Sequence, residues 1–121
     1  MPGNTEINLA LGNLRLEQGD VQAARVSYFR VLAVDEHHKS ALNNLGVLDL
    51  NEGNWTTAKG FFGQAIEQEP GNAKTHFLLA RAYFGAGEFD AARTAVDRAL
   101  QLSPLQAEFL ALRDELASRS P

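Results

Sequence analysis

The sequence predicts an all-α fold, a right-handed α-solenoid of three helix-turn-helix repeats with a seventh, capping helix. Two observations carry this. First, the chain repeats itself every 34 residues: Gly19, Gly53 and Gly87 sit in matching phrases, Glu17-Gln18-Gly19-Asp20, Asn51-Glu52-Gly53-Asn54 and Gly85-Ala86-Gly87-Glu88. Self-similarity at a fixed period of a few tens of residues marks stacked repeat proteins. Second, apolar residues inside each unit recur at three-and-four spacing, as at Leu42, Leu45 and Leu48 and again at Phe61, Phe62, Ala65 and Ile66. That spacing is one face of a helix.

The register extends well beyond the glycines. Leu11, Leu45 and Leu79 align, as do Leu16, Leu50 and Phe84 before the turn and Val21, Trp55 and Phe89 after it. Three alanines, Ala24, Ala58 and Ala92, occupy one column without exception. Tyr28, Phe62 and Val96 follow, then Leu32, Ile66 and Leu100. The pattern predicts helices over 5–18, 21–34, 39–52, 55–68, 73–86 and 89–102, grouped as repeats 5–38, 39–72 and 73–106 of a single domain. Each turn glycine supplies the left-handed residue that ends a helix. Asp20 and Asn54 behind it are good caps for the next helix, Glu88 a weaker one. Closely packed helices need small residues where they meet, so Gly12 is expected against Ala24, Gly46 against Ala58 and Ala80 against Ala92. Trp55, in a column with Val21 and Phe89, is expected to bury against its own hairpin.

After Pro104 a further segment, about 105–118, carries Phe109, Leu112 and Leu116 on one stripe and Arg113, Asp114, Glu115 and Arg119 on the other side. An apolar inner face with a polar outer one is how a solenoid is capped. At the other end, Pro2-Gly3-Asn4 repeats Pro70-Gly71-Asn72 two periods early. The preferred reading is a piece excised from a longer array; the alternative is a native start at which Asn4 simply caps the first helix.

Several chemistries are excluded. Net charge is −4, with 11 Lys and Arg scattered among 15 Asp and Glu, so the basic stripe of a nucleic-acid binder is missing. No apolar run approaches the length needed for membrane insertion. No cysteine is present, which fits a reducing cytoplasm and leaves a disulfide-free periplasmic setting as the alternative. The opening residues lack the basic and apolar regions of a signal peptide, and Asn54-Trp55-Thr56 is better read as a helix cap than as a glycosylation site. His37, His38 and His76 do not show metal-ligand spacing. No nucleophile elbow or phosphate loop appears. No catalytic residue, metal site or cofactor is expected, and the chain is not expected to be an enzyme. Gly60 and Gly63 lie inside a helix and have no firm explanation in the sequence; thinning the helix for close packing is the one role it offers.

Taken together, Leu45-Gly46-Val47-Leu48 with Ala58, Phe62, Ala65 and Pro70, and Ala80, Tyr83, Gly87, Ala92, Ala99 and Pro104 in the third unit, resemble the tetratricopeptide repeat family over residues 5–104. The sequence departs from the family pattern in places. Asn8, Leu42 and His76 stand where a tryptophan is frequent, and Arg15 and Asp49 replace the tyrosine kept at Tyr83. Glu36 replaces the closing proline of the first unit.

In that family the first helix of each hairpin lines a concave groove. The resemblance therefore implies partner-binding residues Leu9 and Asn13 from the first unit, Asn43, Asn44, Val47 and Asn51 from the second, and Lys74, Phe77, Leu78 and Arg81 from the third. Glu6, Glu17 and Ser40 share that face. Apolar groups rimmed by polar ones mark interaction surfaces, and asparagine amides can both donate to and accept from a peptide backbone. Phe77 is the expected aromatic anchor. One subfamily clamps the C-terminal carboxylate of chaperones. Asn13, Asn44 and Lys74 match its clamp, but Leu9 and Leu78 stand where two of its three cations belong, so chaperone tails are not the expected ligand.

The expected function is a protein-protein interaction module that binds a protein or peptide segment in the groove and scaffolds an assembly. The alternative is a structural segment that self-associates or stacks on further repeats through its terminal faces. Ile7 and Leu14 fall in the columns that pack on a preceding hairpin, so they are expected to be partly exposed and to offer a homodimer contact.

Overall fold

The computed structural model describes residues 4–119. Pro2 and Gly3 of the opening phrase lie outside that range. Seven helices follow in order: α1 (Thr5–Glu17), α2 (Val21–Val34), α3 (Lys39–Asn51), α4 (Trp55–Gln68), α5 (Ala73–Gly85), α6 (Phe89–Leu102) and α7 (Ala107–Ala117). Among the described residues there is no strand. The helices α1, α3 and α5 each end one residue sooner than the pattern predicted.

Each hairpin is closed by the same turn. Gly19, Gly53 and Gly87 take φ of 79°, 76° and 78°, a left-handed conformation that glycine reaches without a Cβ penalty. The amide beyond each glycine then donates back to a carbonyl in the helix just ended: Asp20 to Arg15 at 2.9 Å, Asn54 to Asp49 at 2.8 Å, Glu88 to Tyr83 at 2.9 Å. This satisfies carbonyls that would otherwise be orphaned at the helix end. At the helix starts, Asn4, Asp20 and Asn72 accept the amides of Ile7, Ala23 and Thr75. His38 caps α3 by accepting the Ala41 amide through Nδ1 at 3.2 Å. Asn54 makes no side-chain cap bond. Its carbonyl instead accepts from Thr57 Oγ1.

The small columns have a different partner from the expected one. A Cβ at Gly12 would fall 2.5 Å from Tyr28 Cε1, and one at Gly46 would fall 2.5 Å from Phe62 Cε1. A ring from the second helix lies across the first, and glycine makes room for it; Ala24 and Ala58 are not the atoms in the way. In the third hairpin the ring is replaced by Val96 and the glycine by Ala80, both fully buried in one cluster. The two changes offset each other in part, since alanine adds a methyl where valine takes away a ring, and the site stays filled.

Hairpins are joined along two seams. Trp55 is half-buried and reaches across the second seam, its six-membered ring 2.6 Å from where a Gly85 Cβ would stand; it does not simply bury against its own hairpin. A column of cations also points forward. Arg25 pairs with Asp49 at 2.9 Å and with Glu52 in the next hairpin. Lys59 pairs with Glu88 and lies 5.4 Å from the Tyr83 ring centroid. Arg93 donates to the Leu116 carbonyl in the last turn of α7 at 3.2 Å, where a cation also complements the helix dipole. The substitution of Asp49 for the family's tyrosine thus has a reason, since this buried carboxylate meets Arg25.

The capping helix packs through Phe109, Leu112 and Leu116, as its stripe predicted. At the opposite end Ile7 and Leu14 are 53% and 48% exposed, whereas Ala41, Leu48 and Ala82 in the same columns are buried.

Candidate functional site

The face formed by α1, α3 and α5 carries an open hollow of about 260 Å³. Leu9 and Asn13 enter it from α1, Ser40, Asn43 and Asn44 from α3, and Thr75 from α5. Four of the ten residues expected at the partner site therefore converge here: Leu9, Asn13, Asn43 and Asn44. They do so because the 34-residue period returns one helix face to the same side of the stack at each hairpin.

The amides are held in place from below. The Tyr28 hydroxyl, on the ring that Gly12 admits, donates to Asn13 Oδ1 at 2.6 Å. Burial raises the pKa of that phenol, with a smaller opposing pull from Asn44, so it stays a neutral donor at physiological pH. Asn44 Nδ2 also approaches Asn13 Oδ1, at 3.4 Å. With its oxygen engaged, Asn13 has its amide NH₂ left to meet a ligand. Thr75 Oγ1 donates to Asn43 Oδ1 at 3.3 Å. The rim is charged: Lys39 Nζ lies 2.8 Å from Glu69 Oε2, and Asn72 Nδ2 donates to Glu69 Oε1. Lys39 first, then Asn72, hold the Glu69 carboxyl below the usual glutamate range.

The remaining expected residues are dispersed. Phe77 and Leu78 are each 5% exposed and belong to the core. Phe77 stacks on Phe109 of the capping helix, with ring centroids 4.8 Å apart, and Leu78 packs in the cluster around Phe62 and Ala58. The reading of Phe77 as an exposed anchor is corrected by this contact: α7 covers the third hairpin's share of the face. Lys74 remains exposed but reaches Glu108 on α7 at 3.4 Å. Arg81 borders a separate hollow of about 450 Å³ beside Trp55, Gly85 and Leu112. Val47 is half-buried against the second cluster, and Asn51 is exposed near the turn.

Lys39, Glu69, Asn72 and Thr75 were not picked out from the sequence. Glu69 and Asn72 belong to the linker after the second hairpin, beyond the helix-face columns from which the groove was read, and Thr75 sits in a column otherwise read as stacking. Among the described residues no three His, Asp or Glu side chains gather as a metal site, and no helix is long and apolar enough to cross a membrane.

Stacked hairpins that raise a row of amides on one open face define a helical-repeat protein-interaction module, a class that is typically non-enzymatic. The chain belongs to the tetratricopeptide repeat family: one model of that repeat matches residues 49–116, more than half the chain, and a second matches residues 9–58. Among curated proteins none matches by sequence. Among solved structures, the first tetratricopeptide domain of Spaghetti (RPAP3), bound to the HSP90 peptide SRMEEVD, superposes with a TM-score of 0.91 at 16% identity, over 95% of this chain and 91% of that one. The second such domain of human RPAP3, in complex with the HSP70 peptide SGPTIEEVD, gives 0.85 at 18% identity, over 94% and 98%. An O-GlcNAc transferase mutant from Thermobaculum terrenum gives 0.87 at 25% identity, covering 96% of this chain and 22% of the enzyme. These likenesses define the fold.

Proposed function

We propose that the chain holds an extended polypeptide segment across the hollow of α1, α3 and α5 and acts as a scaffold or adaptor in a multi-protein assembly. The observation that carries this reading is the convergence of Leu9, Asn13, Asn43 and Asn44 from two hairpins on one open hollow, with the Tyr28 hydroxyl fixing Asn13 beneath it. Amides held in advance lose little freedom when they meet a peptide backbone. Leu9 offers the apolar contact, and the Lys39–Glu69 pair on the rim gives both signs of charge for orientation. That related folds are seen with chaperone peptides supports a peptide as the kind of ligand. A free chaperone tail is not the favoured one, because Leu9 and the buried Leu78 leave the carboxylate short of cations and Lys74 is engaged by Glu108.

The test begins with capture of partners by the intact chain and their identification by mass spectrometry. The partner segment is then titrated against Asn13→Ala, Asn44→Ala and, as a control on the opposite face, Arg30→Ala. Each groove variant is expected to weaken binding by about 1 kcal/mol or more, the usual cost of losing one hydrogen-bonding partner. Arg30→Ala should bind like the parent. If both groove variants fold and bind unchanged, the partner uses another surface.

A second reading has its own observation. Ile7 and Leu14 present the apolar face that buries against a preceding hairpin wherever one exists, which favours stacking on another repeat or a second copy through this end. Sedimentation of Ile7→Lys plus Leu14→Lys tests it: unchanged association would remove the reading.

A further inference from the structure

The opposite face, formed by α2, α4 and α6, carries two features one repeat apart that peptide binding leaves unused. On α2, Val26 and Phe29 are 50% and 46% exposed, and the Phe29 ring leans on Phe61 of α4, with centroids 6.2 Å apart. One period later the places of Phe29 and Phe61 are taken by Gly63 and Ala95. With both rings gone, an apolar hollow of about 550 Å³ opens between α4 and α6, floored by His76, Leu79 and Tyr83. The first seam is thus an internal template for the second, since it shows that a phenyl group is what this place in the repeat accommodates.

Between ridge and hollow α4 carries two glycines. Gly60 and Gly63 meet nothing within 4 Å of where a Cβ would stand, so no contact within the chain calls for glycine, although glycine inside a helix is costly relative to alanine. A surface with an apolar ridge on one side and an apolar hollow on the other has the property a two-fold interface demands, because each patch must find its complement in the second copy.

We infer that this face binds a second copy of the chain, the Val26–Phe29 ridge of each protomer entering the hollow over Gly63 of the other. The two α4 helices meet near the axis, where Gly60 and Gly63 let the backbones approach. Association covers half-exposed apolar side chains and takes the apolar lining of the hollow out of water. The dimer is independent of the peptide hollow, which lies on the other face.

Complementation tests it. Sedimentation velocity of the full chain across a concentration series should show a monomer–dimer equilibrium. Phe29→Ala removes the ridge and Gly63→Phe fills the hollow, and each should weaken the dimer by roughly 10-fold or more, as loss of a central aromatic contact does. Gly63→Phe should remain folded, since its Cβ enters open space; circular dichroism checks this. An equimolar mixture of the two variants retains one intact ridge-and-hollow contact, so it should associate more strongly than either alone. Four outcomes would overturn the inference: a parent that stays monomeric at the highest attainable concentration, single variants that dimerise like the parent, a mixture no stronger than its components, or a dimer lost with Ile7→Lys plus Leu14→Lys and kept with Gly63→Phe.

Discussion

The first and third hairpins present the same columns to the same face and meet opposite fates. Leu9 on α1, Asn43 on α3 and Phe77 on α5 share one column: Leu9 borders the open hollow, Asn43 is half-buried with Thr75 on its oxygen, and Phe77 is stacked beneath Phe109. Nothing in the local helix differs enough to cause this. What differs is the covering element, because α7 crosses the third hairpin and, among the described residues, no helix crosses the first. A column in a repeat protein therefore names a direction, and whether that direction is groove or core depends on what packs over it.

That contrast can be broken at several points. The largest effect is expected from Phe77→Ala, which removes a buried ring and the stack with Phe109; a loss of about 3–5 kcal/mol is usual for such a truncation, and thermal unfolding would measure it. The same change at Leu9, on the open side, should cost far less. Next comes Arg25→Ala, which leaves the carboxylate of Asp49, 5% exposed, facing the first seam without its partner. Breaking a buried pair typically costs about 3 kcal/mol or more, whereas replacing both members by apolar residues of similar volume can be neutral. A double-mutant cycle with Asp49→Leu separates the two cases. Tyr28→Phe deletes only the hydroxyl under Asn13 and should lower stability by about 1 kcal/mol. A larger loss of peptide affinity than of stability would show that the hydroxyl positions the amide. Gly60→Ala should move stability the other way, by about 1 kcal/mol, because the helix gains a better former and the methyl meets no neighbour. The smallest effect concerns pH. The folded-state pKa of Glu69 lies below the ordinary value, so the contribution of the Lys39–Glu69 pair is complete above the unfolded pKa and is lost as pH falls through the folded one. A carboxyl titration followed by NMR should return toward the ordinary glutamate value in Lys39→Ala.

The fold was legible because its signal is redundant. Gly19, Gly53 and Gly87 each fix a turn, and the columns between them repeat the same message three times, so the ends of the six repeat helices fall within a residue of expectation. The site was legible only where a side chain's position follows from its own helix, as for Leu9, Asn13, Asn43 and Asn44. Phe77 and Leu78 were misread because their surroundings come from α7 and from the packing of the neighbouring hairpin, contacts that periodicity does not encode. Gly46 was correctly read as a close approach, but the wrong atom was assigned to it: adjacency of backbones suggested Ala58, while the long Phe62 ring reaches further than its Cα position implies. Lys39, Glu69 and Asn72 went unseen because they stand at a helix start and in the joining segment, beyond the helix-face columns from which the groove was read.

The forward-pointing cations make the hairpins unequal citizens of the stack. Arg25 needs a carboxylate in front of it and finds Asp49; Lys59 finds Tyr83 and Glu88; but Arg15 holds the corresponding position in the first hairpin. Moved to the middle of the array, the first hairpin would set its arginine against another cation at the seam. The leading place of the first hairpin is thus written into the joints: behind either of the other two, whose Lys59 or Arg93 stands in the Arg25 column, its Arg15 would set like charges against each other.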